Sequence, residues 1–175
     1  EGTDHSAFNL NTATGQLSLK SQPDFETKSV YSISVVSTDA GGKSYSKAFK
    51  ISISDANDTP TIASTGITAS KEDSAYSYKF AASDVDSGDT VTYAATKLPS
   101  WLKFNAGTGV LSGTPTNSEV GTHSVVLTAT DSSGAVDTQS FTITVSNVND
   151  KPTVTSTAVT AAKEDSAYSY TFAAS

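Results

Sequence analysis

Acidic side chains are the residues of this sequence whose spacing most readily suggests chemistry. Asp84 and Asp86 alternate with Val85 in a Ser- and Gly-rich segment, so an extended backbone presents both carboxylates on one side. Calcium binds six to eight oxygen atoms, drawn from carboxylates and carbonyls of flexible segments. Several carboxylates gathered in one place would repel one another without a cation. The pattern predicts a cation site, although Asp and Asn are also ordinary turn formers.

The charge balance and cysteine content exclude several classes of protein. Eleven Lys and Arg residues against eighteen Asp and Glu residues give the 175-residue chain a formal net charge of −7. Because like charges repel, this disfavours binding to nucleic acid and insertion at anionic membrane surfaces. The chain has no cysteine, which excludes disulfides and thiolate metal sites. A small domain that lacks disulfides needs another source of stability, and bound metal ions are the obvious candidate.

No group of residues is typical of a catalytic site. His5 and His123 are isolated, without a second His or a Cys at metal-ligand spacing. Acidic pairs such as Glu72-Asp73 would suit general acid–base chemistry, but no nucleophile accompanies them and no glycine loop could hold a phosphate. Ligation of a cation, or turn formation, explains these carboxylates better. We therefore do not expect an enzyme.

The chain contains an internal repeat of 92 residues. The segment Lys71–Tyr78 returns unchanged as Lys163–Tyr170, and Asn57-Asp58-Thr59-Pro60 returns as Asn149-Asp150-Lys151-Pro152. Thr14-Gly15-Gln16-Leu17 matches 108–111 at an offset of 94, so a two-residue insertion or deletion lies in between. This phase predicts three parts: 1–60 as the back of one repeat, 61–152 as a complete repeat, and 153–175 as the front of a third.

The absence of a signal peptide, a membrane-spanning run and an initiator Met leads us to expect a piece of a longer chain. Near-identical copies are typical of long tandem arrays: 14 of 18 positions agree between 66–83 and 158–175.

Period-2 alternation of apolar residues predicts the secondary structure of the complete repeat. The alternating sets are Tyr76, Tyr78 and Phe80; Val125, Leu127 and Ala129; and Phe141, Ile143 and Val145. Further short strands are expected at 67–70, at 91–93 and on both sides of the turn at 105–109. About seven short strands in roughly 90 residues describe an all-β, immunoglobulin-like Greek-key sandwich.

Several motifs of the chain resemble cadherin-like repeats of bacterial exoproteins. Pro23-Asp24-Phe25-Glu26 and FKISISDANDTP at 49–60 look like the second half of a cadherin repeat. The complete repeat resembles the dystroglycan-type cadherin-like domain, with LPSWLKF at 98–104, Gly113-Thr114-Pro115 and Ala129-Thr130-Asp131. This resemblance implies calcium at the junctions between successive repeats, in a protein that is secreted or exposed on the cell surface.

The resemblance assigns calcium ligands to the junction at residue 60. They are Asp24 and Glu26 from the upstream repeat, Asp55, Asn57 and Asp58 from the linker, and Asp84, Asp86 and Asp131 from the downstream repeat, with Asp89 as a further candidate.

The junction at residue 152 matches the family pattern less well. Glu72, Asn149 and Asp150 are the ligands that the resemblance assigns to it. Asn147 stands where the family has an Asp, and 116–119 stands where an Asp–Glu pair belongs. The sequence therefore leaves calcium binding at this junction open.

Two functional hypotheses follow. In the first, calcium clamps successive sandwiches into a stiff spacer whose partners are its neighbouring repeats. In the second, the repeats are a calcium-dependent module that binds polysaccharide or a like repeat on another cell. Trp101 and Phe104 could stack on a sugar ring, but the single Trp of a sandwich is more often part of its core.

The terminal segments predict association between copies of the chain. Residues 1–60 and 153–175 together provide most of one 92-residue unit, and each alone would expose strand edges and an apolar face. We expect the tail of one molecule to complete the half-repeat of another by strand complementation. The alternative is a tail with no such partner.

Overall fold

Alternating apolar residues form strands along most of the chain. The computed structural model describes residues 2–175, which contain thirteen strands and two short 3-10 turns, His5–Ala7 and Asn117–Glu119. The strands are β1 (Phe8–Asn11), β2 (Gln16–Leu19), β3 (Val30–Thr38), β4 (Ser44–Ser52), β5 (Thr61–Ile62), β6 (Ala69–Lys71), β7 (Tyr76–Lys79), β8 (Ala82–Ser83), β9 (Thr92–Lys97), β10 (Leu102–Asn105), β11 (Val110–Gly113), β12 (Gly121–Thr130) and β13 (Val136–Ser146). The predicted all-β class is confirmed.

The part of the fold between residues 61 and 146, here called the central sandwich, is built from two sheets. One has the order β6-β13-β12-β9, in which β6 runs parallel to β13, and the other has the order β10-β11-β7. The two-residue strands β5 and β8 pair with each other beside them. The sequence predicted the seven longer strands of this region but not β5 and β8, which are too short to show an alternation.

The core of the central sandwich lies between these sheets. Its buried residues are Tyr76, Tyr78, Phe80, Leu102, Leu111, Val125, Leu127, Ala129, Ile143 and Val145. Phe80 contacts Tyr93 and Phe104 edge to face. Gly109 has a φ of 66°, and a Cβ there would lie 2.5 Å from the Phe80 carbonyl oxygen. The turn before β11 therefore requires glycine.

Residues 2–53, here called the leading unit, form two hairpins. The hairpin β1–β2 pairs Leu10 with Leu17, and the hairpin β3–β4 pairs Ile33 with Phe49. Phe8 and Ile33 are the buried apolar side chains of this unit. Among the described residues, β2 pairs only with β1 and β4 only with β3.

Residues 153–175, here called the tail, fold back on themselves. A single bridge joins Val154 to Ala174, and the Ser156 hydroxyl contacts the Tyr170 hydroxyl at 2.5 Å. In residues 2–175, no helix is long and apolar enough to cross a membrane.

Candidate metal centre

Carboxylates from three parts of the chain meet where the leading unit joins the central sandwich. The leading unit contributes the segment before β3, and the linker (54–60) crosses between the two. The central sandwich contributes the loop between β8 and β9 and the turn between β12 and β13. The linker is anchored by two hydrogen bonds: Asn57 Nδ2 donates to Asp131 Oδ2 at 2.9 Å, and the Asp58 amide donates to Asp86 Oδ2 at 2.8 Å.

The first group, here called the bridging cluster, takes one carboxylate from each part. One oxygen atom from each of Glu26, Asp55 and Asp86 lies within 4.8 Å of the others. A hydrogen bond involving its own backbone lowers the pKa of Glu26. Desolvation and the charges of Asp55, Asp58 and Asp86 outweigh that bond, so the pKa of Glu26 is raised. Like charges are crowded here, as at sites that bind cations.

Asp86 shows the same balance of effects. The hydrogen bond from the Asp58 amide lowers the pKa of Asp86. Desolvation and the charges of Asp55, Asp84 and Asp58 together outweigh this bond, so the pKa of Asp86 lies above its ordinary value. A cation would remove this repulsion.

The second group, here called the inner cluster, lies wholly within the central sandwich. Asp84, Asp89 and Asp131 each place one oxygen within 4.8 Å of the others. Asp131 is buried, and the hydrogen bond from Asn57 is the largest of the effects that lower its pKa. The Ser133 and Ala135 amides also donate to its Oδ1, at 2.9 and 2.8 Å. Asp131 is thus held ionised and fixed in position.

Both clusters contain buried oxygen atoms without hydrogen-bond donors. Asp84 Oδ2, Asp86 Oδ1 and Asp89 Oδ2 have no partner, although the other oxygen of each side chain accepts a hydrogen bond. A buried carboxylate oxygen without a donor is unfavourable. Hard cations such as calcium take oxygen ligands of this kind. The residues present therefore fit a bound calcium ion.

Two of the predicted ligands at this junction, Asp24 and Asn57, make hydrogen bonds of their own. Asp24 accepts hydrogen bonds from the Thr27 amide and hydroxyl, both at 2.9 Å, and the amide bond is the main cause of its lowered pKa. Asp24 therefore caps a local turn and is not part of either cluster. The Asn57 side-chain amide donates to Asp131 and to the Asp58 carbonyl oxygen.

Asp89, which the sequence offered only as a further candidate, is a full member of the inner cluster. Its Oδ1 accepts from the Ser132 hydroxyl at 2.6 Å. The sequence feature that could have identified Asp89 is its position three residues after Asp86, in the same loop.

The junction at residue 152 is arranged differently. Glu72 is only 1% exposed, and its Oε1 accepts hydrogen bonds from Asn147 Nδ2 at 2.9 Å and from the Val148 amide, while Oε2 is buried without a partner. Asp150 accepts from Asn117 Nδ2 at 3.3 Å, and the Asn149 side chain donates to the Asp150 carbonyl oxygen. Within residues 2–175, the two groups of three carboxylates both lie at the residue-60 junction.

The segment 116–119, which stands where the family has an Asp–Glu pair, forms hydrogen bonds within itself. Glu119 accepts hydrogen bonds from the Thr116 amide and hydroxyl, at 2.8 and 2.7 Å, in a capping box around a 3-10 turn. The hydrogen bond from the Thr116 hydroxyl is the largest cause of the lowered pKa of Glu119.

Trp101 packs against the core. Its ring meets Tyr76 and His123 edge to face, each at 5.8 Å between centroids, and its Nε1 is buried without a partner. This placement favours the core interpretation of Trp101 over a sugar-stacking platform.

Comparison with known proteins identifies the family. Residues 59–146 match the family described as "Putative Ig domain". The chain belongs to this family. The matched residues of the Ig domain include the whole core of the central sandwich and all three carboxylates of the inner cluster.

The curated relatives of this Ig-domain chain include an adhesin. The chain is 33% identical over 102 residues to the "Serine-rich adhesin for platelets" of Staphylococcus aureus. The aligned region covers 58% of the chain and 4% of the adhesin. In the strain MRSA252, the covered share of the adhesin is 7%. The chain thus spans less than a tenth of the length of these relatives.

Solved structures with a similar fold include cadherin domains. Human Protocadherin-24 EC1-2 superposes with a TM-score of 0.59 at 20% identity, over 85% of this chain and 80% of that chain. Protocadherin Gamma B2 extracellular cadherin domains 3-6 give a TM-score of 0.56 at 24% identity, over 89% of this chain and 40% of that chain. These likenesses show a cadherin-like fold for the Ig-domain chain.

Proposed function

We propose that this chain is a non-catalytic, calcium-stiffened stretch of an extracellular adhesion protein. In this proposal, calcium binds where the leading unit meets the central sandwich and fixes the angle between them. The observation that carries it is the bridging cluster, in which Glu26, Asp55 and Asp86 come from three separate parts of the chain.

The ligands that we propose lie in both clusters. Calcium would neutralise charge and link oxygen atoms that otherwise repel one another. The buried, unpartnered oxygens of Asp84, Asp86 and Asp89 are the first candidates to contact it. Asp58 adds negative charge beside the bridging cluster, since it raises the pKa of both Glu26 and Asp86.

Stiffness follows from the way the linker is held. Hydrogen bonds from Asn57 and Asp58 already tie the linker to the central sandwich, and Pro60 is fully buried. The leading unit reaches the clusters through Glu26, so its orientation depends on what binds that carboxylate. We accordingly propose that 61–152 is one repeat unit, preceded by part of a repeat (1–60) and followed by part of another (153–175).

An extracellular location and a role in adhesion are supported by the relatives. The curated relatives carry the name of an adhesin, and the similar folds are cadherin extracellular domains. The proposal also includes association between copies of the chain through their terminal segments, because β2 and β4 each have an edge without a neighbour among the described residues. Since Trp101 packs on the core, a polysaccharide platform at that residue is not proposed.

Calorimetric titration with calcium tests this proposal. We expect heat of binding for the unmodified chain and at least tenfold weaker binding for Asp86→Asn. Asp73→Asn is the matched control: Asp73 is exposed and belongs to neither cluster, and Asn tolerates its positive φ of 57°. Asp58→Ala should weaken binding more than Asp150→Ala does. The proposal would be refuted if the unmodified chain gave no heat of calcium binding, or if Asp86→Asn and Asp73→Asn lost the same amount of calcium affinity.

A further inference from the structure

Two neighbouring strands bring Glu72 and Asn147 together at the end of the central sandwich. β6 runs parallel to β13, and their last pair is Lys71 opposite Ser146. Glu72 and Asn147 follow these two residues directly, so the same register places them side by side. The Glu72 amide also donates to the Ser146 carbonyl oxygen at 3.1 Å. The residue at position 147 therefore lies beside Glu72 whatever its type.

The Glu72 carboxylate is fixed in position. Its side chain is 1% exposed, and the amide of the next residue, Asp73, donates to the Pro115 carbonyl oxygen at 2.8 Å. One carboxylate oxygen accepts from the Asn147 side-chain amide at 2.9 Å and from the Val148 backbone amide. Hydrogen bonds to an ionised acceptor are stronger than those between neutral groups. The first two residues after β13 are thus tied to the central sandwich by two donors.

A further contact holds this segment, here called the second linker (147–152), at its other end. Asn117 Nδ2 donates to Asp150 Oδ2 at 3.3 Å. In the same turn, Glu119 accepts from the Thr116 amide and hydroxyl. The carboxylates of Asp150 and Glu119 therefore have neutral donors beside them, and neither depends on a cation for a partner.

The linker (54–60) has a carboxylate where the second linker has the Asn147 amide. Asn147 corresponds to Asp55 at the offset of 92. Asp55 belongs to the bridging cluster together with Glu26 and Asp86, and an ionised carboxylate cannot donate a hydrogen bond. Asp55 therefore adds to the repulsion among its neighbours. Asn147 instead satisfies the carboxylate next to it.

We infer that the second linker is fixed to the central sandwich without calcium, because the Asn147 amide supplies the donor that Glu72 needs. Loss of calcium then loosens the chain at the residue-60 junction, but not where the second linker leaves the central sandwich. The protein thus combines one joint that responds to calcium with one that does not. The anchoring of the second linker stands on its own hydrogen bonds, whereas the contrast with the residue-60 junction rests on the proposed function.

Amide hydrogen exchange, followed by NMR on the full 175-residue chain, tests this inference because exchange reports local opening. The Val148 amide donates to Glu72 and the Asp58 amide donates to Asp86, so each amide reports on one linker. We expect the Val148 amide to exchange at the same rate in calcium and in excess chelator. The Asp58 amide should exchange at least about tenfold faster in chelator, since no cation then relieves the repulsion in the bridging cluster.

Two variants test the role of Asn147. Asn147→Asp places a carboxylate against Glu72, so in chelator it should speed exchange of the Val148 amide by at least about tenfold. Asn149→Asp is the matched control, because it adds the same charge two residues further on, at an exposed side chain that donates to the Asp150 carbonyl oxygen. This control should leave the exchange rate of the Val148 amide as it is in the unmodified chain.

An amide of the core shows whether the variants keep their fold. Leu127 lies in β12, between β13 and β9, and its amide should exchange equally slowly in both variants and in the unmodified chain. The comparison of the unmodified chain in calcium and in chelator tests the inference even if a variant does not fold.

The possible failures are distinguishable. A Val148 amide that exchanges more slowly in calcium would overturn the inference and indicate a cation at Glu72 Oε2, which is buried without a partner. Equal Val148 rates for Asn147→Asp and Asn149→Asp in chelator would also overturn it. Equal rates for the Asp58 amide in calcium and in chelator would instead refute the proposed function, because the comparison of the variants in chelator does not depend on calcium.

Discussion

Replacing Asp89 by Asn should change the stability of the central sandwich in opposite directions with and without calcium. In chelator, the inner cluster holds three carboxylates whose oxygens lie within 4.8 Å of one another. At that distance, Asp89 and Asp84 repel each other by about 0.9 kcal/mol even in a water-like medium. Since Asp89→Asn removes this repulsion and its amide oxygen can still accept from Ser132, the variant should be more stable than the unmodified chain in chelator.

The expected magnitudes are large enough to measure. For a domain of this size, 1 kcal/mol changes the melting temperature by about 4–8 °C, so Asp89→Asn should melt about 3–7 °C higher in chelator. Calcium sites of extracellular modules have dissociation constants of about 0.1–1 mM, and about 10 mM calcium would then stabilise the unmodified chain by roughly 1.4–2.7 kcal/mol per site. A tenfold loss of affinity at the inner cluster would reduce that gain to about 0.4–1.4 kcal/mol.

Thermal unfolding is followed by circular dichroism in chelator and in calcium. The two curves give the change in melting temperature that Asp89→Asn causes under each condition. Asp73→Asn is again the control, and its curves should follow those of the unmodified chain. An Asp89→Asn variant that melts lower in chelator, or that gains as much from calcium as the unmodified chain, would refute the inner cluster as a cation site.

Three further predictions concern other parts of the molecule. Glu72→Ala should lower the free energy of unfolding of the central sandwich by about 1–3 kcal/mol, because the hydrogen bonds that the buried carboxylate accepts from Asn147 and Val148 are lost; Glu72→Gln, which keeps an acceptor, should cost less when both variants are unfolded in urea. The Lys28 ammonium beside Asp4 is the main cause of the lowered pKa of Asp4. The ionised Asp4 carboxylate stabilises the leading unit above the ordinary carboxyl pKa, and this contribution is lost as the pH falls through the lowered pKa of Asp4. Between about pH 5 and pH 2, the melting temperature of Asp4→Asn should therefore fall less than that of the unmodified chain. Trp101→Ala should destabilise the central sandwich by about 3 kcal/mol because it removes core packing; glycan binding by the unmodified chain that disappears in a stably folded Trp101→Ala variant would contradict the core interpretation.

The strands of the central sandwich were predictable because burial on one face imposes a period of two. Val125, Leu127 and Ala129 alternate with polar or less buried residues, and all three are fully buried. The short strands β5 and β8 were not predictable, since two residues cannot show a period. They form because the Ile62 amide donates to Asp137 and the Ala82 amide donates to the Tyr93 hydroxyl, both distant in sequence.

The sequence indicated which acidic residues lie near this junction, but not the hydrogen bonds that each of them makes. Asp86 and Asp131 could be assigned from motifs, and the structure brings them to the same junction. Asp24 was assigned by the same motifs, and its carboxylate accepts hydrogen bonds from the neighbouring Thr27. Local hydrogen bonds to Asp compete with ligation, and a motif does not show which of the two occurs.

The partner of Glu72 could not be predicted because it depends on tertiary structure. Asn147 lies 75 residues further along the chain, and the sequence identified it only as a departure from the family pattern. Its donor role becomes evident only when β6 and β13 lie side by side.

The measurement that tests the central claim most directly is a distance distribution across the residue-60 junction. Because the chain has no cysteine, Lys50→Cys and Lys103→Cys place one spin label on the leading unit and one on the central sandwich. The labelled chain is diluted in an excess of unlabelled chain, and the distribution is measured by double electron–electron resonance in calcium and in chelator. The account predicts a single narrow distribution in calcium and a broad one in chelator. Equal widths in the two conditions would contradict it.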